Sequence, residues 1–342
     1  MTALWPPGAA TGVGSMQGTH PLDAARLVFD ALPDLPHLPE LPARGPAADM
    51  IGRATALLVD MPVDLQPSGW RLVDHVGSDL RRARSLLAED LDALEEVADG
   101  YEGPLKLQAT GPWTLAAVVE KYRGDKVLSD HGARRDLAES LTEGLRLHVA
   151  EVGRRIPGAR VLLQLDEPAI TTVLAGGVPT VSGFGRLRTI EEVEARRVLR
   201  AVVDVVEVPV LIHCCAADPP IDVFRTAGAA GVSVDLTLVD IDRDEELEPL
   251  AAGMEADLVL LAGVVSAAPS QPGLAEVPGS VGSTRRRIAT MWERLGRPAD
   301  ELAARVAITP TCGLAAASPA YALAALRRAR DVARALHEEP EE

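Results

Sequence analysis

Eight short runs rich in Val, Ile and Leu recur along the chain, separated by longer Ala/Leu/Arg/Glu stretches with helical spacing, and this alternation constrains the fold more than any other feature. Near-continuous apolar runs suit strands buried on both faces, which arise when crossover helices cover a parallel sheet. The runs are Ala10 to Ser15, Met61 to Gln66, Gly103 to Thr110, Arg160 to Ala169, Val208 to Ala216, Gly231 to Leu238, Asp257 to Val265 and Arg305 to Leu314. Eight strands with intervening helices make the count of a closed barrel, a single α/β (β/α)8 TIM barrel, and 342 residues suit one such domain. The alternative is an open doubly wound sheet with GAATGVGS as a dinucleotide loop. Its spacing is not G-x-G-x-x-G, and GTHPLD follows where a helix should start.

The intervening stretches carry helix punctuation. Asp74 to Gly100 is long and amphipathic with Gly at its end, while Asp130 to Arg155 and Ser318 to Leu336 begin on residues suited to an N-cap. No linker or composition shift interrupts the series, so residues 1–342 read as one domain ending in an acidic tail, 337–342. With 47% hydrophobic but only 3% aromatic residues, the core must be built from Ala, Leu and Val.

Charge narrows the function. Thirty-four basic against fifty acidic residues give −16, which argues against nucleic acid and anionic membrane surfaces as partners. No apolar run approaches the roughly 18 residues of a membrane span, and the first residues lack a basic n-region and an apolar h-region, so a cytoplasmic protein is expected. Three cysteines, two of them adjacent, do not form a paired disulfide framework and read as reduced ligands or nucleophiles.

In a barrel, functional groups collect where strands run out into the following loops. Polar residues stand there as Ser15, Thr110, Asp166 with Glu167, His213 with Cys215, Asp235 and Cys312. Alternate strand residues share a face, so His213 and Cys215 point together into the mouth while Cys214 faces the helices. Adding Cys312 gives the N and S donors that zinc prefers, with a fourth position left for a carboxylate, water or substrate. The bland alternative is three small buried thiols and a satisfied core histidine. Asp166-Glu167-Pro168 reads either as a strand stop or as acids that pair a substrate ammonium, and Gly14-Ser15 either as a turn or as N–H donors to a carboxylate.

Taken in order, GS at Gly14-Ser15, TGP at Thr110 to Pro112, QLDEPA at Gln164 to Ala169, H-x-C at His213 and Cys215, VSVD ending at Asp235 and TCGL at Thr311 to Leu314 resemble the catalytic C-terminal barrel of cobalamin-independent methionine synthases. The resemblance spans nearly the whole chain. It implies Zn2+ held by His213, Cys215 and Cys312, with Asp235, one methylene shorter than the family's glutamate, as an uncommitted fourth ligand. It also implies homocysteine with its amino group on Asp166, its carboxylate near Gly14 and Ser15, and its sulfur on the zinc.

The chain departs from the family on the donor side. Ala268 falls where the family has its proton-donating histidine, no histidine lies between Cys215 and His337, and Val118 and Thr172 stand at donor-contacting positions. The resemblance thus implies methyl transfer to homocysteine, giving methionine, from either a methyltetrahydrofolate or a methyl-corrinoid protein. Alkyl transfer with another small thiol, and a non-catalytic thiol- or amino-acid-binding homologue, stay open beside it.

Overall fold

The computed structural model describes residues 3–269, 277 and 279–338, so most of the acidic tail lies outside the described residues. Its centre is a six-stranded, wholly parallel sheet in sequence order: β3 (Gly103–Thr110), β4 (Ala159–Asp166), β5 (Val210–Cys214), β6 (Gly231–Asp235), β7 (Val259–Val265) and β8 (Val306–Pro310). Helices occupy every crossover, as parallel neighbours require.

The alternation of side chains divides the core in two. Val161, Leu163, Leu165, Val210, Ile212 and Cys214 pack outward in the large cluster shared with the helices. Leu162, Leu211, Val259, Leu261 and Ala307 form a separate cluster closed off by Trp5, Ala9 and Leu35. Those five alternate with the outward set along their strands, so they line the sheet's inner face. Further along the same inner rows the residues become polar: Lys106, Gln108, Gln164, Asp166, His213, Ser233 and Thr309 are all buried. An apolar floor under a polar mouth is what positions the site.

The edges of the sheet do not stand free. β8 bonds to the chain near Ala10 (Thr11 N–H to Ile308 O, 3.0 Å), and β3 bonds to Pro36–Leu38 (Lys106 N–H to Pro36 O, 2.9 Å). Those two segments meet at a bridge between Ser15 and Glu40, where Met16 N–H donates to Glu40 O at 2.7 Å. Both are joined by isolated bridges rather than continuous ladders.

The expected second barrel strand is corrected here. The run from Met61 to Gln66 supplies β1 (Val63–Gln66), which turns through Pro67-Ser68 and pairs antiparallel with β2 (Gly69–Leu72) as a separate hairpin. Gly69, at φ 127°, takes a backbone conformation open to few other residues, and this lets the chain reverse. The place beside β3 goes to the Pro-rich stretch Pro36 to Glu40, in which Pro39 has no N–H to give to a ladder.

Four other expected strands end early. β4 stops at Asp166, β5 at Cys214, β6 at Asp235 and β8 at Pro310, leaving Glu167, Cys215 and Cys312 in the loops beyond. The Asp130 and Ser318 side chains do cap their helices, accepting from Ala133 N–H (2.9 Å) and Tyr321 N–H (3.2 Å). The helix expected from Asp74 runs Ser78–Val97.

Candidate metal centre

The H-x-C pair and the late cysteine meet at the sheet's C-terminal end. One ring nitrogen of His213 and the sulfurs of Cys215 and Cys312 all lie within 4.8 Å of one another. The two sulfurs are 3.5 Å apart. A disulfide needs about 2.05 Å, whereas two thiolates on one tetrahedral zinc at about 2.3 Å sit about 3.8 Å apart. The cysteines are free thiols, and the observed spacing suits a shared ion.

His213 is oriented for that role. Its Nδ1 faces the Ser233 carbonyl at 3.1 Å and the Ser233 hydroxyl at 3.0 Å, which fits Nδ1–H as donor. Nε2 is then the lone-pair nitrogen, and it is buried with no hydrogen-bond partner among the described residues. A buried acceptor costs free energy unless something binds it, and a metal ion removes that cost while the second partner holds the ring. The sulfurs share a proton unequally. The hydrogen bond between the two sulfurs holds Cys312 down to about 4 and pushes Cys215 up.

The remaining expected residues are placed as follows. Asp235 folds back on itself, with Oδ1 accepting from Thr237 N–H (2.9 Å) and Thr237 Oγ (2.6 Å), and it is not among the three grouped residues. Glu167 is fully buried and also committed: Oε1 accepts from Trp113 N–H (2.9 Å), and Oε2 from Thr114 N–H and Oγ (2.7 Å each). It caps the helix Pro112–Val118, whose Gly111 N-cap has no side chain to do so. Burial pushes Glu167 up to about 7, against those three donors. Thr110 donates to Met50 O at 2.7 Å and ties β3 to the helix Met50–Leu57.

Asp166 and Ser15 keep free functions. Asp166 Oδ1 accepts from Gln164 Nε2 at 2.7 Å, and among the described residues no hydrogen bond reaches its other oxygen. Burial raises its pKa to about 7, with His213 and Lys106 opposing and Glu40 reinforcing. Among the described residues, no backbone hydrogen bond uses the Ser15 N–H. Ser15 packs on the TCGL turn so closely that a Cβ on Gly313 would lie 2.0 Å from its Oγ, and its carbonyl accepts from Leu314 N–H at 2.7 Å. At Gly14, a Cβ would meet the Gln108 side chain at 2.7 Å. Ala268, at the expected acid position, has no acidic side chain, and its carbonyl accepts from Ser266 Oγ and Tyr321 Oη.

Four buried polar residues here were not anticipated: Ser233, Lys106, Gln164 and Glu40. Lys106 donates to Val13 O at 2.8 Å, and burial lowers its pKa to about 8 against the fields of Asp166 and Glu40. Glu40 lies 3.3 Å from Arg53, which also pairs with Asp90. A lysine in the middle of the apolar strand Gly103 to Thr110 was the available signal, since a buried ammonium requires carboxylates nearby.

Residues 8–335 match the family model described as the cobalamin-independent synthase catalytic domain. Among solved structures, a B12-independent methionine synthase from Shewanella sp. W3-18-1, in complex with selenomethionine, aligns with a TM-score of 0.57 at 12% identity, covering 97% of this chain and 98% of that one. At that identity the likeness concerns the fold alone. Two mandelate oxidase structures align at TM-scores of 0.30 and 0.31, with 16% and 18% identity, over 94% of this chain and 91% and 92% of theirs, too weakly to inform the fold. No curated protein matches the sequence.

Proposed function

The chain belongs to the cobalamin-independent synthase catalytic-domain family, and from that premise we propose that it is a zinc-dependent methyltransferase acting on the thiol of homocysteine to give methionine. One observation carries the reading: His213, Cys215 and Cys312 gather their donor atoms within 4.8 Å, and the His213 Nε2 is buried and unpartnered among the described residues. Bound there, zinc would lower the pKa of an incoming thiol and so supply a thiolate nucleophile at neutral pH. The selenomethionine bound by the Shewanella enzyme supports a ligand of this chemical class.

The chain's own residues do the rest. His213, Cys215 and Cys312 hold the ion, with Ser233 fixing the imidazole tautomer. Asp166 offers its uncommitted oxygen to the substrate ammonium, and the Gly14-Ser15 backbone offers N–H groups to the substrate carboxylate. Both Glu167 oxygens are taken by the helix Pro112–Val118, while Asp235 has one oxygen on Thr237 and stays an uncommitted fourth ligand.

We read the scaffold as one domain, a closed (β/α)8 barrel in which residues 9–16 and 36–40 take the first two strand positions. The free cysteines and the lack, among the described residues, of a helix long and apolar enough to cross a membrane fit a cytoplasmic enzyme.

The donor is a methyltetrahydrofolate or a methyl-corrinoid protein. A folate nitrogen must be protonated to leave, which calls for a general acid that Ala268 does not supply; a corrinoid leaves without one. The same missing acid favours a second reading, a non-catalytic homologue that binds an amino-acid thiol. Zinc analysis combined with methyl-transfer assays on homocysteine, using each donor in turn, separates them. Stoichiometric zinc with methionine produced supports transfer; stoichiometric zinc with homocysteine bound and no methionine from either donor supports the second reading and defeats the first.

A further inference from the structure

The Val13 carbonyl receives two buried side-chain donors, Lys106 Nζ at 2.8 Å and Gln164 Nε2 at 2.9 Å. The same Gln164 nitrogen also lies 2.7 Å from Asp166 Oδ1. Gln164, from β4, and Lys106, from β3, are both fully buried. Val13 is the residue before Gly14-Ser15, so one amide nitrogen bridges the proposed carboxylate site and the proposed ammonium site.

We propose that Gln164, braced by Lys106, is a positioning residue that sets the gap between Ser15 and Asp166, and so selects ligands carrying both charges of an α-amino acid. The inference rests on the reading of the ligand as an amino-acid thiol or thioether.

Residues 9–16 are held to the sheet by single bridges, so their distance from β4 is not fixed by a ladder. Fixing it falls to side chains that cross the mouth, and among the described residues the Val13 carbonyl is the acceptor on which two of them converge. The buried lysine that donates to that carbonyl also sits in the fields of Asp166 and Glu40, which hold its ammonium in place there. An α-amino acid, with its ammonium and carboxylate a fixed few ångströms apart, is bound at both ends only if the two subsites keep that separation. A ligand lacking either charge makes only one contact and does not register the spacing.

The experiment compares L-methionine with 3-(methylthio)propionate and 3-(methylthio)propylamine by calorimetry on the zinc-loaded wild type, Gln164→Leu, Gln164→Asn and Lys106→Met. Each sample is also assayed for zinc and for thermal unfolding. Wild type should prefer methionine to either truncated ligand by at least about tenfold, the worth of one charge-assisted contact. In Gln164→Leu and Lys106→Met that preference should collapse to about threefold or less, with zinc content and affinity for the truncated ligands unchanged. Gln164→Asn keeps the amide but is a methylene too short to bridge, and it is expected to behave like Leu; it serves in place of any variant that does not fold. Variants that keep the wild-type preference overturn the positioning role and leave the proposed function standing. A wild type without preference overturns the amino-acid reading itself, and this inference with it.

Discussion

Replacing Glu167 by Ala separates scaffold from chemistry at the mouth. The carboxylate takes hydrogen bonds from the Trp113 N–H, the Thr114 N–H and the Thr114 hydroxyl, all in the first turn of the helix Pro112–Val118. Alanine leaves two buried backbone donors without partners, each costing about 1–3 kcal/mol. Water entering the vacated space offsets part of this, so we expect a net loss of about 3 kcal/mol. At about 2 °C per kcal/mol for a chain of this size, Tm should fall by about 6 °C. Glu167→Gln keeps one acceptor and turns an amide N–H2 toward a donor, so it should fall between Ala and wild type. Scanning calorimetry measures both, with zinc determined on the same samples. Zinc per chain should not change, because Glu167 is not among the three grouped residues. An unchanged Tm together with lost homocysteine binding would refute the capping role, since the carboxylate would then serve the ligand and not the helix.

Four further outcomes are expected. Cys312→Ser removes a thiolate from a three-residue site, so plasma-emission analysis should find zinc well below about one per chain after dialysis. Ser233→Ala leaves the Ser233 carbonyl as sole acceptor for Nδ1–H, so zinc affinity by chelator competition should drop about tenfold, the low end for losing an outer partner; a loss as large as that of His213→Ala would contradict it. Asp166 titrates at about 7 in the free protein and must be ionised to pair with an ammonium, so methionine affinity should fall as pH drops from 8 to 6 and level off above about 7. Asp166→Asn should be weaker at every pH and show no such slope. Gly313→Ala puts a Cβ where the Ser15 Oγ now sits, so methionine affinity should fall by about tenfold with zinc retained, read by calorimetry.

What could be read from the sequence was whatever repeats along one strand. The outward positions of β4 and β5 are apolar at every other residue, and the inward ones change from Leu162 and Leu211 to Asp166 and His213 as the strands reach the mouth. Two-residue periodicity is local, so the facing of His213 and Cys215 follows without knowing any neighbour. Cys215 keeps that facing even though β5 ends one residue before it. Pairing between distant segments is not local, and that is where the reading failed. Met61 to Gln66 has the composition of a barrel strand and forms a hairpin, while Pro36 to Glu40, which contains two prolines, lies beside β3. The bridge to β3 uses the Leu38 N–H and the Pro36 carbonyl, and the Glu40 N–H goes to Gly14 O, so Pro39 between them is tolerated, and strand propensity does not register a contact so short.

The same distinction explains the site. Residue type and strand-end position together were enough to pick out the residues that now meet as donors: His213 and Cys215 share a face by the alternation of β5, whereas Cys312 reaches them from the loop after β8. They were not enough to separate a ligand from a residue with a closer partner. Asp235 stands at the end of β6 on the same face as Ser233, as a metal ligand would, yet Thr237 lies two residues on, where an aspartate oxygen reaches both its N–H and its hydroxyl. Glu167 shows the converse. The following residue of the same DEPA motif faces away from Asp166 by strand alternation, and there it finds an uncapped helix N-terminus. Adjacent acids at one strand end therefore divide the work, one offering an oxygen to the mouth and the other holding the helix that forms part of its wall.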